Sequence, residues 1–199
     1  MYPLGVSALV VIDVQNDFVH GDGAGASLGY AVADCQKRMP DIHKAIEGAR
    51  SAGVSVVFVR TEHHPWTDDA AWKQRLGGAI HRKKLCAGGE WGVEFYEVEP
   101  LPEEPVVTKH RYSAFVGTDL EVILRSLDVG HLVFAGFAAN VCVESTLRHG
   151  YMLGYRVTLL EDATAATFSH DELAATVHNV RSFFGDVSTV EEFFTTVEP

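Results

Sequence analysis

A thiol, an ammonium group and a carboxylate together make a nucleophile, a charge that favours its anion, and a proton carrier. In this sequence of 199 residues, three side chains of those types fall where apolar, β-branched runs end. Asp13 closes the first run, Lys109 closes the run at 106–108, and Cys142 follows the run at 131–137 and begins a helical stretch. Singly, each has an ordinary reading: a buried small hydrophobe for the cysteine, a turn or helix cap for the aspartate, a solvated charge for the lysine. Jointly they suit acyl transfer. A thiolate is the attacking species, and a helix N-terminus and a neighbouring ammonium both lower a thiol's pKa from about 8.5. Asp13 can take the thiol proton and return it to a leaving amine. Gly136 permits an unusual turn just before Cys142, whose backbone N–H groups can face a developing oxyanion.

These side chains meet only if the elements place them at one edge. Ala8–Val14 and Val54–Val59 read as buried parallel strands, with further strands at 106–109, 131–137 and 157–160 and a short run at 187–188. Between them, 34–52, 141–153 and 170–183 carry apolar residues at helical spacing, with Pro40 expected to interrupt the first. Thr118 and Glu121 have the spacing of a capping box ahead of Leu120, Ile123, Leu124 and Leu127. Segment 61–105 is the least regular. Alternating strands and helices predict one doubly wound α/β domain over 1–199, with about six parallel strands and helices on both faces. Ligands in such folds sit outside the carboxyl ends of the strands, where the three side chains fall.

Composition narrows the functions. The apolar fraction is 47% and the charged fraction 22%, an ordinary globular balance. A net charge of −11 without a basic run argues against nucleic acid and membrane surfaces. No apolar stretch reaches the ~20 residues of a membrane span, and Met1–Val14 has no basic leader or small-residue cleavage site. Three cysteines without a CxxC argue against a disulfide framework or a cysteine zinc site. The expectation is a cytoplasmic protein acting on a small molecule.

Three segments resemble the isochorismatase-like cysteine hydrolases: Val-Ile-Asp-Val-Gln-Asn-Asp-Phe at 11–18, Lys-His-Arg-Tyr-Ser-Ala-Phe at 109–115, and Gly-Phe-Ala-Ala-Asn-Val-Cys-Val-Glu-Ser-Thr at 136–146. They occur in the family's order, and the resemblance runs from about Ser7 to Phe194. It implies Asp13, Lys109 and Cys142 as a catalytic triad. It also implies a cis peptide at Phe137–Ala138, an oxyanion hole from the N–H groups of Ala138 and Cys142, and substrate contacts from Gln15, Phe18, Tyr112, Phe137 and Asn140. Family members commonly form homodimers or homotetramers and need no cofactor for this chemistry. The segments around the triad, with Glu161–Thr164 and Phe183–Gly185, look closest to ureidoacrylate and biuret amidohydrolases, which, like N-carbamoylsarcosine amidohydrolase, cleave a ureido or carbamoyl group. Cys142 itself favours amide chemistry, since members that cleave the vinyl ether of isochorismate lack the cysteine. The implied reaction is hydrolysis of a C–N bond through a thioester on Cys142.

The alternative within the family is a nicotinamidase-like amidase, which resembles this chain at Thr61–Pro65. Those enzymes hold a metal through an Asp and several His. Here Glu62 and Ala70 stand at two ligand positions, with only His64 matching and His63 beside it, so no metal is expected. Ala139 departs from the family's usual Thr. Two readings from other classes remain. Gly21–Ala26 contains the G-x-G-x-x-A of a dinucleotide fingerprint, with Asp41 downstream, but the first strand lies too far ahead and no good helix opens at Gly25. A non-catalytic α/β binding module is the other, and it predicts no thiol reactivity. Trp66, Trp72 and Trp91 are candidates either for the pocket wall or for half-buried core, and Cys35 and Cys86 read as inert thiols.

Overall fold

Unbroken apolar strands need cover on both faces, and the chain supplies it with helices. In the computed structural model, which describes residues 7–195, β1 (Ser7–Ile12), β2 (Ser55–Thr61), β3 (Val106–Lys109), β4 (His131–Phe137), β5 (Arg156–Ala165) and β6 (Asp186–Ser188) form one sheet. The spatial order is β3-β2-β1-β4-β5-β6, every pair parallel. The chain winds outward from β1 to β3, then crosses back to lay β4 beside β1. That reversal makes the β1/β4 boundary the switch point, where parallel sheets leave a crevice beyond their carboxyl ends. The expected doubly wound α/β fold with six strands is the observed one.

Alternation along β1 divides its residues between two cores. Leu9 and Val11 pack against α1 (Val32–Ser51) on one face. Ala8, Val10 and Ile12 face the side covered by α2 (Leu120–Ser126), α3 (Glu144–Met152) and the residues after α4 (His170–Asn179). A last helix, α5 (Val190–Thr195), returns to the α1 side and buries Phe193. Among the described residues no helix is long and apolar enough to cross a membrane.

Three local expectations are corrected. Pro40 does not interrupt α1, which runs on for 20 residues. Cys35 and Met39 before it and Ile42, Ala45, Ile46 and Ala49 after it are buried in the same core. At roughly 1.5–3 kcal/mol per large apolar side chain, that burial outweighs the ~3 kcal/mol penalty of an interior proline. The Thr118–Glu121 capping box does not form: α2 starts one residue later than the motif requires, and Glu121 pairs with Arg125 instead. The Thr118 hydroxyl still accepts from the Leu120 N–H at 3.2 Å. The capping box belongs to Ser169 and Glu172, at the start of α4. Finally, β5 continues past Leu160 to Ala165 through an irregularity opposite Phe134–Gly136. There the Asp162 carboxylate accepts the N–H of Val190, fastening α5 to the sheet.

Candidate active site

The carboxyl ends of β1, β2, β3 and β4 bring Asp13, Thr61, Lys109 and Cys142 together. The Lys109 ammonium lies 2.8 Å from Asp13 Oδ2 and 3.3 Å from Cys142 Sγ. The Thr61 hydroxyl donates to the Asp13 carboxylate, 3.1 Å from either oxygen, and accepts from Lys109 Nζ. Asp13 and Lys109 are fully buried and Cys142 nearly so. Thr61 went unrecognised in the sequence, because a threonine ending a strand has an ordinary β-propensity reading. Only the β1–β2 register, with Asp13 N–H bonded to Val59 C=O at 2.9 Å, puts its hydroxyl between the charges.

The first motif builds the floor. Asp13 takes a left-handed backbone, φ 53°, where the chain leaves β1. Gln15 then accepts from Thr61 N–H at 2.8 Å and donates to the carbonyls of Thr61 and Val93 at 2.9 and 2.7 Å. The Asp17 carboxylate accepts from the backbone N–H of Ala24 and of Cys86, at 2.8 and 2.6 Å. These buried bonds tie the irregular segment to the strand ends. At Gly136, φ is 111° and a Cβ would sit 2.1 Å from the Ile12 carbonyl oxygen, so only glycine allows β4 to close on β1 here. The Phe137–Ala138 peptide is cis, as the resemblance implies. The turn after it is wide: residues 139–143 form a π-type turn, with Val143 N–H bonded to Ala138 C=O at 3.1 Å. Ala139 within it is buried with Ala166 and Leu173, so the missing threonine hydroxyl is matched by an apolar lining.

A cavity of about 230 Å³ opens over Cys142. Phe18, Tyr112, Ala138 and Asn140 line it, together with Lys109. Two expected substrate contacts are corrected. Gln15 is fully buried and spends its amide on backbone groups, while Phe137 points into the core on the α1 face; neither lines the cavity. Of the three tryptophans only Trp72 is in the wall; Trp66 is 79% exposed and stacks on His64, and Trp91 packs edge-on to His20. Tyr30, Arg75, Thr167 and Phe168 also line the cavity, and none was legible in the sequence. They come from three connections that share no motif, Thr167 and Phe168 being neighbours on one of them.

The electrostatics differ from expectation at one point. Burial pushes the Cys142 thiol up to about 12, with Lys109 pulling down and Asp13 pushing up. Burial opposes the charge on Lys109, but the Asp13 carboxylate and the Cys142 sulfur outweigh it and hold the ammonium above its ordinary range. Enclosure thus favours the neutral thiol at rest, while Asp13 and Cys142 favour the charged ammonium between them. Cys86 is likewise raised by burial, and Cys35 reaches about 12 for the same reason; unlike Cys142, neither of them lines the cavity.

The residues at 62–70 do not fit a metal. Glu62 is engaged by His64 Nε2 at 2.9 Å and by Arg60 at 3.7 Å, and Ala70 offers no donor atom. His63 takes a different part: its Nδ1 lies 2.8 Å from Asp68 Oδ1, its ring stacks on Trp72, and burial lowers its pKa. Its Nε2 is buried without a partner. The dinucleotide reading also fails. The glycine-rich turn leads only into the four-residue helix Ala24–Ser27, and a Cβ at Gly23 would lie 2.4 Å from the Asn16 carbonyl oxygen. Those glycines serve close backbone packing.

The family model for the isochorismatase domain matches residues 7–192. The chain belongs to the isochorismatase family. Within it, this isochorismatase-family chain is 36% identical to the ureidoacrylate amidohydrolase RutB of Yersinia enterocolitica, over all of this chain and 92% of the relative. It is 37% identical to RutB of Variovorax paradoxus, over 97% of this chain and 82% of the relative. Among solved structures, a cysteine hydrolase from Pseudomonas syringae pv. phaseolicola superposes with a TM-score of 0.86 at 27% identity, covering 98% of this chain and 94% of the other. N-carbamoylsarcosine amidase from Thermoplasma acidophilum gives 0.77 at 30% identity, covering 93% and 96%.

Proposed function

We propose that this isochorismatase-family chain is a cysteine amidohydrolase that cleaves the C–N bond of a small amide, ureido or carbamoyl compound. The observation that carries the reading is the buried contact of Lys109 with both Asp13 and Cys142 beneath the cavity. The relatives' activities on ureidoacrylate and N-carbamoylsarcosine support the bond type.

The chemistry follows from the resting protonation. As sulfur attacks the carbonyl carbon, the thiol proton passes to Asp13, so no free thiolate has to persist in the buried site. The ammonium of Lys109 stays charged and favours both anions of the exchange, the carboxylate before attack and the sulfur during it. The N–H groups of Ala138 and Cys142 receive the oxyanion. Collapse breaks the C–N bond, Asp13 returns its proton to nitrogen, and ammonia or an amine departs. Water then attacks the thioester carbonyl, giving a proton to Asp13. The C–S bond breaks, the proton returns to sulfur, and an acid or carbamate leaves. Incubation with ureido and carbamoyl compounds, scored by ammonia release and by mass spectrometry of the acyl-enzyme, tests this. A covalent adduct confined to Cys142 is expected. Turnover without one, or full activity in Cys142→Ser, contradicts the mechanism.

The assembly is a homodimer or homotetramer in this reading, supported by exposed apolar side chains such as Met152 and Phe183. Light scattering should give a multiple of 21.7 kDa, and a single species near 22 kDa opposes it. The three free thiols support a reducing compartment, the cytoplasm.

A further inference from the structure

The cavity wall runs from a buried end to an exposed one. His63 stacks on Trp72 with ring centroids 4.4 Å apart, Trp72 meets Tyr112 edge-on at 5.2 Å, and Arg75 lies over Tyr112 at 5.8 Å. His63 and Lys109 occupy the deep end, while Arg75 is exposed at the mouth.

The charges along this wall are one-sided. The chain carries 27 acidic residues against 16 lysines and arginines, yet no aspartate or glutamate lines the cavity among the described residues. Three cations do. Lys109 is neutralised by Asp13, and Arg111 by Asp69 at 3.0 Å, with its other terminal nitrogen bonded to the carbonyls of Thr67 and His110. Arg75 differs from both. Its Nε donates to the Tyr112 hydroxyl at 3.0 Å, and no carboxylate of the described residues pairs with its guanidinium. The Tyr112 bond fixes the group at the mouth and leaves its two terminal nitrogens free. Asn140 adds a donor on the same cavity, since its Oδ1 accepts from the Thr167 N–H and hydroxyl at 3.0 Å and its amide nitrogen is left over. Arg75 and Cys142 line the same cavity, one at its mouth and one at its buried end.

We infer that Arg75 is the binding residue for a substrate carboxylate, so that the preferred substrate is a ureido or carbamoyl acid whose anionic end sits at the mouth while its carbonyl reaches Cys142. This rests on the amidohydrolase reading for the position of the reacting end, but the binding claim stands apart from turnover. A protein of net charge −11 repels small anions at long range, and an unpaired guanidinium over an acid-free cavity reverses that locally. The planar fork suits a carboxylate better than a lysine would. A neutral substrate would leave that fork without a partner.

The test separates binding from chemistry. In a Cys142→Ala background, which cannot form the thioester, calorimetry would compare 3-ureidopropionate with its uncharged primary amide, with Arg75 intact and as Arg75→Met or Arg75→Lys. The acid should bind more tightly than the amide by about ten- to a hundredfold, the scale of a charge-assisted hydrogen-bonded pair. Arg75→Met should erase that difference without weakening the amide, and Arg75→Lys should restore part of it. In the active enzyme, Arg75→Met should raise KM for the acid with little change in kcat. Equal binding of acid and amide with Arg75 intact, no binding of the acid, or an unchanged preference in Arg75→Met each overturns the inference. If the acid preference follows Arg75 but no ureido compound is turned over by the active enzyme, the amidohydrolase reading fails and the carboxylate site stands.

Discussion

The sheet carries a buried polar trio at the amino ends of its strands and another at their carboxyl ends. At the amino ends of β1, β4 and β5, the Ser7 hydroxyl lies 3.1 Å from His131 Nδ1, and His131 Nε2 lies 2.8 Å from the Thr158 hydroxyl. At the carboxyl ends stand Asp13, Lys109 and Cys142. By residue type the first trio looks the more catalytic, since serine beside histidine suggests an activated hydroxyl. Its environment says otherwise. Both ring nitrogens of His131 are committed, burial lowers its pKa to about 4, and the Phe193 ring packs against it. The carboxyl-end trio instead keeps full charges together and faces a cavity. The difference teaches that burial and mutual hydrogen bonding alone do not make a site. A reactive trio needs charges that can exchange a proton and space for a substrate, and in a parallel sheet that space lies beyond the carboxyl ends.

Substitutions at the two ends should therefore diverge. The largest expected effect is Cys142→Ala, which should lower kcat by about 10⁴-fold or more while leaving thermal unfolding near that of the parent. A large loss of stability instead would make Cys142 a core residue. Lys109→Met should lower kcat/KM by about a thousandfold, because unit charges ~4 Å apart interact by roughly 4 kcal/mol at an effective dielectric of 20. Iodoacetamide should label Cys142 more slowly in parallel, since removing Lys109 takes away the charge that favours its anion; unchanged labelling and turnover would reduce Lys109 to a bystander. At the amino end, His131→Gln should leave kcat/KM within about twofold and act on stability alone. Its neutral imidazole is favoured in the folded protein, so His131 contributes stability above about pH 6.5, and that stability is lost as the pH falls toward about 4. Unfolding followed from pH 7 to 4.5 should show a loss on the order of 2–3 kcal/mol that His131→Gln flattens. The smallest effect concerns metal. With Glu62 held by His64 and Ala70 without a donor, activity should be unchanged after exhaustive EDTA treatment, and loss with recovery on adding zinc or iron would restore a metal to residues 62–70.

Much of this was written locally. Apolar runs of no more than seven residues, alternating with stretches of helical spacing, determine a parallel α/β sheet, because each strand must be covered on both faces. Residues that end such runs land at the carboxyl edge whatever the rest of the fold does, so Asp13, Lys109 and Cys142 were legible from position and type. What the sequence could not decide depends on distance between segments. Thr61 joins the charged trio only through strand register, and Gln15 and Phe137, although beside the key residues in sequence, turn away into backbone bonds and core. The thiol's raised pKa follows from enclosure, a property of everything packed around it, where the sequence showed only the helix start and the lysine that act the other way. The cavity wall is the clearest case. Tyr30, Arg75 and Phe168 lie on three separate connections with no periodicity to read, and only tertiary packing brings them to one surface. Strand ends are placed by short-range hydrogen-bonded repetition, whereas a pocket wall is placed by contacts among segments far apart in the chain.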